Sequence, residues 1–162
     1  MGRTIPSFRI AAVLEENEWK QYRKYLNNKK DRKVLSEMFS IARLYNSACS
    51  YSAIPIRIYP IMMSIALHHY KTLNDNTLIS CPNGQDTNNN NNNSIILQKE
   101  LDKWKTYSDI LRKPNRDLFK EMLRSSYKYS SSIEAKGENY STQSLLMSLL
   151  FEQQKIIMKK LF

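Results

Sequence analysis

Glycine is nearly missing from this sequence: 3 occur in 162 residues, beside 5 prolines. A β-sandwich draws a turn signal from such residues every ~8–12 positions. The shortage argues against that class and favours long helices joined by few breaks. Cysteine and histidine are equally scarce. Cys49 and Cys81 form no CxxC motif, and the two histidines, His68 and His69, are adjacent. Neighbours on a helix point about 100° apart, so this pair cannot hold one metal as residues at i and i+4 can; it reads as a helix-surface pair. No glycine-rich phosphate loop is present, and neither the cysteines nor a Ser-His-Asp order mark a nucleophile. The expectation is a non-enzymatic chain with no cofactor and no metal.

Long apolar runs are lacking too. "PIMMSIAL" (60–67) and "SLLMSLLF" (144–151) fall well short of the roughly 18–20 residues a bilayer requires, and they read as buried helix. The opening stretch carries charges where a secretory signal would have an apolar core. Together with the unmatched cysteines, this predicts a reducing cytoplasm. Acidic residues are in deficit, 15 against 25 Lys and Arg, leaving a net charge of +10. That balance favours an anionic partner, although solvated helix faces supply part of the excess.

What the sequence does contain is 41% apolar residues, enough for a core, and a repeat. "WKQY" (19–22) returns as "WKTY" (104–107), holding the only two tryptophans. Offsets of 85 and then 84 bring Arg32, Glu37, Met38, Tyr45, Met63 and Ser64 onto Arg116, Glu121, Met122, Tyr129, Met147 and Ser148. Across the aligned segments 12 of 37 positions are identical, where average usage gives about two or three. Between the copies lies "NDNTLISCPNGQDTNNNNNNS" (74–94), whose asparagine run cannot bury apolar surface.

The predicted fold is all-α: two tandem three-helix modules, residues 1–73 and 95–162, joined by an Asn-rich flexible linker at 74–94. Apolar residues at 3/4 spacing mark the helices. The first stripe is Phe8, Ala12, Trp19, Tyr22 and Leu26, repeated as Leu97, Leu101, Trp104, Tyr107 and Leu111. The second helices fall near 31–52 and 116–133, and the third near 60–73 and 142–161. Pro6 suits a first turn, and Ser141 or Thr142 suits an N-cap. The expected core signature is Trp19, Tyr22, Met38, Tyr45 and Met63, matched by Trp104, Tyr107, Met122, Tyr129 and Met147. Glu15 and Glu100 lie on the apolar stripes, which predicts Glu15–Arg32 and Glu100–Arg116 pairs, since a buried charge needs a partner.

"MGRTIPSFR", followed by Trp19, Tyr22, Arg23, Asp31, Phe39, Ala42, Arg43 and Ala48, resembles a family of short archaeal proteins, a domain of unknown function whose pattern opens MGRT, then proline, an aromatic and arginine. The resemblance covers residues 1–73 and implies a helical module with no assigned activity. The second copy is degenerate: it lacks the GRT arm and has Asn115 for Asp31 and Tyr127 for Arg43. If single-copy relatives pair, this chain is that dimer fused about a pseudo-two-fold axis.

Function is therefore expected from surfaces. An N-terminal arm carries Arg3, Thr4 and Arg9, and the end of each first helix is basic: Lys20, Arg23, Lys29, Lys30 and Lys33 in one copy, Lys105, Arg112 and Lys113 in the other. The expectation is a helical interaction or adaptor module that binds a protein partner or itself. The alternative is a nucleic-acid-associated protein whose duplicated basic corners grip the phosphate backbone. Lysine-rich solvated turns would look the same in sequence.

Overall fold

The computed structural model describes residues 7–26, 28–75 and 94–161. All regular structure among them is helical. In chain order the α-helices are α1 (Phe8–Glu18), α2 (Lys20–Tyr25), α3 (Lys29–Arg43), α4 (Asn46–Tyr51), α5 (Ile58–Asp75), α6 (Ile95–Lys103), α7 (Lys105–Ile110), α8 (Lys113–Ser125), α9 (Ser130–Lys136) and α10 (Ser141–Leu161). Single 3₁₀ turns cover Ser126–Tyr129 and Glu138–Tyr140. No helix among the described residues is long and apolar enough to cross a membrane.

The first and second helices expected in each half are each broken in two, and the breaks fall at matching places. Trp19 (φ −80°, ψ −1°) and Trp104 (φ −88°, ψ 0°) both leave helical geometry for the bridge region. Tyr45 (φ −110°, ψ 17°) and Tyr129 (φ −112°, ψ 13°) interrupt the second helices in the same way. Leu26 and Leu111 are both extended. Ala53 and Gly137 both have positive φ, 51° and 90°. Apolar spacing does not register breaks of one to four residues such as these, because the stripe continues across them.

Local signals set several boundaries. The Asn28 side chain accepts from the Lys30 backbone N–H at 2.9 Å and opens α3. Ser94 does the same for α6 through the Leu97 N–H at 3.2 Å, so the helical half begins at the last residue of the expected linker. At its other end α5 continues through Asn74 and Asp75; residues 76–93 lie outside the described residues, as does Pro6.

The main core draws on both halves. Tyr45, Cys49, Met63 and Leu67 pack in one cluster with Trp104, Tyr107, Phe119, Ile133 and Leu145. A smaller cluster, including Phe39, Ile61 and Ile65, lies between α3, α5 and α1. The central seam is α5 against α10, as their apolar composition predicts. Alongside it, α7 packs on α4 and α8 packs on α5. No comparable packing of α2 on α9 or α3 on α10 occurs. A two-fold axis between the halves would require both directions of contact, so the expected pseudo-two-fold relation does not hold.

Candidate functional site

Two carboxylates organise the paired helix breaks. Glu15 accepts from the Trp19 indole Nε1 at 3.2 Å, and Glu100 accepts from Trp104 Nε1 at the same distance. Each tryptophan then meets a tyrosine edge to face: Trp19–Tyr22 at 5.5 Å and Trp104–Tyr107 at 5.9 Å between ring centres.

The expected Glu–Arg pairs are not formed. Glu15 is met by Arg57 at 3.6 Å. Glu100, fully buried, takes Lys103 Nζ, Ser141 Oγ and Thr142 Oγ1, each at 2.7 Å. Burial opposes ionisation of Glu100, but these donors outweigh it and hold its carboxyl below the ordinary range. Ser141 and Thr142, expected as caps, thus serve as carboxylate donors joining α10 to α6. The arginines turn to backbone instead. Arg32 Nε donates to the Leu26 carbonyl at 2.8 Å, and Arg116 donates to the carbonyls of Asp109 and Leu111 at 2.6 and 3.1 Å. Helix ends leave carbonyls unpaired, and a guanidinium at a C-terminus also suits the macrodipole.

The halves differ in what covers these pairs. Trp104 and Tyr107 are 0% exposed, whereas Trp19 is 36% and Tyr22 56% exposed. Met63 is 0% exposed and its counterpart Met147 is 66% exposed. Trp19, Tyr22 and Met147 therefore depart from the expected core signature, while Met38 and Tyr129 are half-buried and Tyr45, Met63, Trp104, Tyr107 and Met122 are buried. The cause is the one-way packing. Helix α7 seats Tyr107 against α4 and α5, where its hydroxyl shares a hydrogen bond with Ser64 Oγ at 2.9 Å. Ser64 gives its own proton to the Pro60 carbonyl at 2.8 Å and lies 3.1 Å from Cys49 Sγ, which makes the Tyr107 hydroxyl the donor. Burial above all, then the neighbouring Cys49, pushes the Tyr107 phenol well above its usual value, and burial lifts the Cys49 thiol to about 11. A nucleophilic thiolate is thereby disfavoured.

Counterparts of that receiving face line an open groove of about 380 Å³ on α9 and α10: Ser132, Ile133, Lys136, Ser144, Met147 and Ser148. At the offset of 84 they correspond to Ala48, Cys49, Ser52, Pro60, Met63 and Ser64. Ser148 Oγ donates to the Ser144 carbonyl at 2.8 Å, repeating the Ser64–Pro60 bond. These groove residues went unremarked as a site in the sequence, although Ser148 matching Ser64 on an otherwise apolar helix was a visible signal.

The basic residues divide. Lys20, Lys29, Lys30, Lys105, Arg112 and Lys113 are exposed, as is Arg9 on α1. Arg23 is half-buried and donates to Ser36 at 2.7 Å, and Lys33 pairs with Glu37 at 3.7 Å. Arg3 and Thr4 lie outside the described residues. Among the described residues no group of three or more His, Cys, Asp or Glu is placed to hold a metal ion. The His69 imidazole is shifted down by burial and by its neighbour His68.

Residues 1–80 match the family model described as Domain of unknown function (DUF8156). The match covers the half in which the sequence resemblance was read. No curated protein and no solved structure matches the chain.

Proposed function

We propose that this chain is a non-catalytic helical interaction module acting through protein–protein contact, built from an internally duplicated helical unit and working in the cytoplasm of an archaeal cell. The matched breaks at Trp19/Trp104, Tyr45/Tyr129 and Ala53/Gly137 support the duplication. The opening MGRT pattern supports the source. One observation carries the functional reading: Trp19 and, on α2, Tyr22 and Tyr25 are open to solvent, while their counterparts Trp104 and Tyr107 are buried and Ile110 is less exposed than Tyr25. Exposed aromatics clustered on a single helix face mark interaction surfaces.

The test is capture of partners by the full chain against Tyr22→Asp and against a chain lacking residues 1–9. Loss of partners with Tyr22→Asp is expected. An unchanged partner set would remove α2 from the reading, and an unchanged set after truncation would remove the arm.

A second reading is favoured by the exposed Lys20 next to Trp19 in the chain, with exposed Lys29 and Lys30 at the start of the following helix α3. Base stacking on aromatics beside cations is a mode of single-strand binding. Salt-dependent binding to duplex and single-stranded DNA tests it. Charge reversal at Lys29, Lys30 and Lys33 should then weaken binding to all sequences alike, and no binding at low salt would eliminate it.

A further inference from the structure

Inside the chain, helix α7 and its receiving face on α4 and α5 form a complete plug and socket. The plug contributes Tyr107, and the socket contributes Ala48, Cys49, Met63 and Ser64. The second-copy counterpart of the socket is the groove on α9 and α10, and the first-copy counterpart of the plug is α2. The aromatics on and beside α2 lack the cover that α7 has, and in the groove Met147 lacks that of Met63, while Ile133 at its floor is already part of the main core. Trp19, Tyr22 and Met147 are exposed where their counterparts Trp104, Tyr107 and Met63 are buried.

Building on the protein–protein reading, we propose that α2 of one chain docks into the α9/α10 groove of a second copy of this chain, head to tail, as α7 docks on α4 and α5 within each chain. Tyr22 lies against the exposed Met147 over the buried Ile133, and its hydroxyl donates to Ser148 Oγ in the groove wall. That oxygen has the same acceptor capacity as Ser64, because its own proton is given to the Ser144 carbonyl. The fit is apolar rather than ionic: among the described residues the groove's one charged lining residue is Lys136, which lies over the Tyr140 ring at 5.2 Å, and exposed Glu134 on α9 is the acid nearest in sequence to meet Lys20 or Lys24 of α2. The contact is heterologous, since plug and socket are different surfaces, so copies close into a ring or extend as a chain.

Sedimentation and light scattering on the full chain, over a concentration series, test this with Tyr22→Asp and Met147→Lys. Both positions are exposed, and circular dichroism checks that each variant keeps its helices. The wild type should exceed the mass of one chain, and each variant alone should run as a single chain. Mixed, the two variants should form a species of one copy each, because one retains the socket and the other the plug. Should either variant lose helicity, Tyr22→Gln and Ser148→Asn replace them, with the same mixing outcome. A wild type that stays at single-chain mass, association indifferent to both substitutions, or a mixture that fails to pair would each overturn the proposal. If the wild type is a single chain but captures another protein that Tyr22→Asp loses, self-docking falls and the interaction-module reading stands; if it binds neither, both fall.

Discussion

Trp104 donates its indole N–H to the fully buried carboxylate of Glu100 at 3.2 Å, one helical turn back along the chain. The bond repeats between Trp19 and Glu15 with the same geometry, yet the two sites should respond differently to mutation. Glu100 also ties α6 to Ser141 and Thr142 at the start of α10. Removing it strands these donors, and Glu100→Ala should cost about 3 kcal/mol. Glu15→Ala, beside a half-exposed tryptophan that water can reach, should cost about 1 kcal/mol or less. Urea unfolding of the two variants measures the difference, and equal losses would contradict it.

Acid should loosen the fold through the same carboxyl. Glu100 has its folded value lowered, because the donors from Lys103, Ser141 and Thr142 outweigh the cost of burial. Glu152 is lowered likewise, with burial opposed by Tyr129 and Lys128. The unfolded chain therefore binds these protons more readily than the folded one. Their stabilisation is complete above the ordinary glutamate value of 4.5 and is lost as pH falls through the lower folded values. The depressed His69 adds a loss of the same sign, beginning nearer 6.5. Thermal midpoints should fall steadily on acidification, and Glu100→Gln should flatten the steepest part of the curve.

Tyr107 and Ser64 join the two halves across the main core. Tyr107→Phe keeps the ring and deletes the donor, leaving Ser64 still bonded to the Pro60 carbonyl. The expected loss is about 1 kcal/mol. A double-mutant cycle with Ser64→Ala should show coupling of similar size. Tyr22→Phe should leave the unfolding free energy of the single chain unchanged, because none of the described residues meets its hydroxyl there.

Gly137 and Ala53 occupy matching positions with φ of 90° and 51°. At Gly137 ψ is 163°, a region open essentially to glycine alone. Gly137→Ala should cost about 1–3 kcal/mol although nothing lies within 4 Å of an added Cβ. Ala53→Gly should be neutral or stabilising by about 0.5 kcal/mol, since glycine removes the left-handed penalty but adds chain entropy. Differential scanning calorimetry of both variants checks the opposite signs.

Some of the site was readable before any coordinates. The recurrence of Trp, Lys and Tyr in "WKQY" and "WKTY" marked the two positions as equivalent, but not that each helix breaks there, and the match of Ser64 with Ser148 was visible without marking a socket. The partners of Glu15 and Glu100 were not readable. Arg57, Ser141 and Thr142 lie 42, 41 and 42 positions from the carboxylates they meet, and helical spacing carries no information over such separations. The arginine expected to answer each carboxylate instead answers unpaired carbonyls in the adjacent turn, a demand that arises only once α2 and α7 end.

Glycine scarcity and 3/4 apolar spacing, both local properties of the backbone and its side chains, settled by themselves that this chain would be helical. The repeated tryptophans marked equivalent positions in the two halves, and the shared break at each became visible only in the backbone. Which face of each half would be covered was decided only in three dimensions. Tyr22 and Tyr107 both follow a Trp-Lys pair at the same spacing, and burial depends on whether another helix arrives, which the one-way packing of α7 on α4 grants to Tyr107 alone.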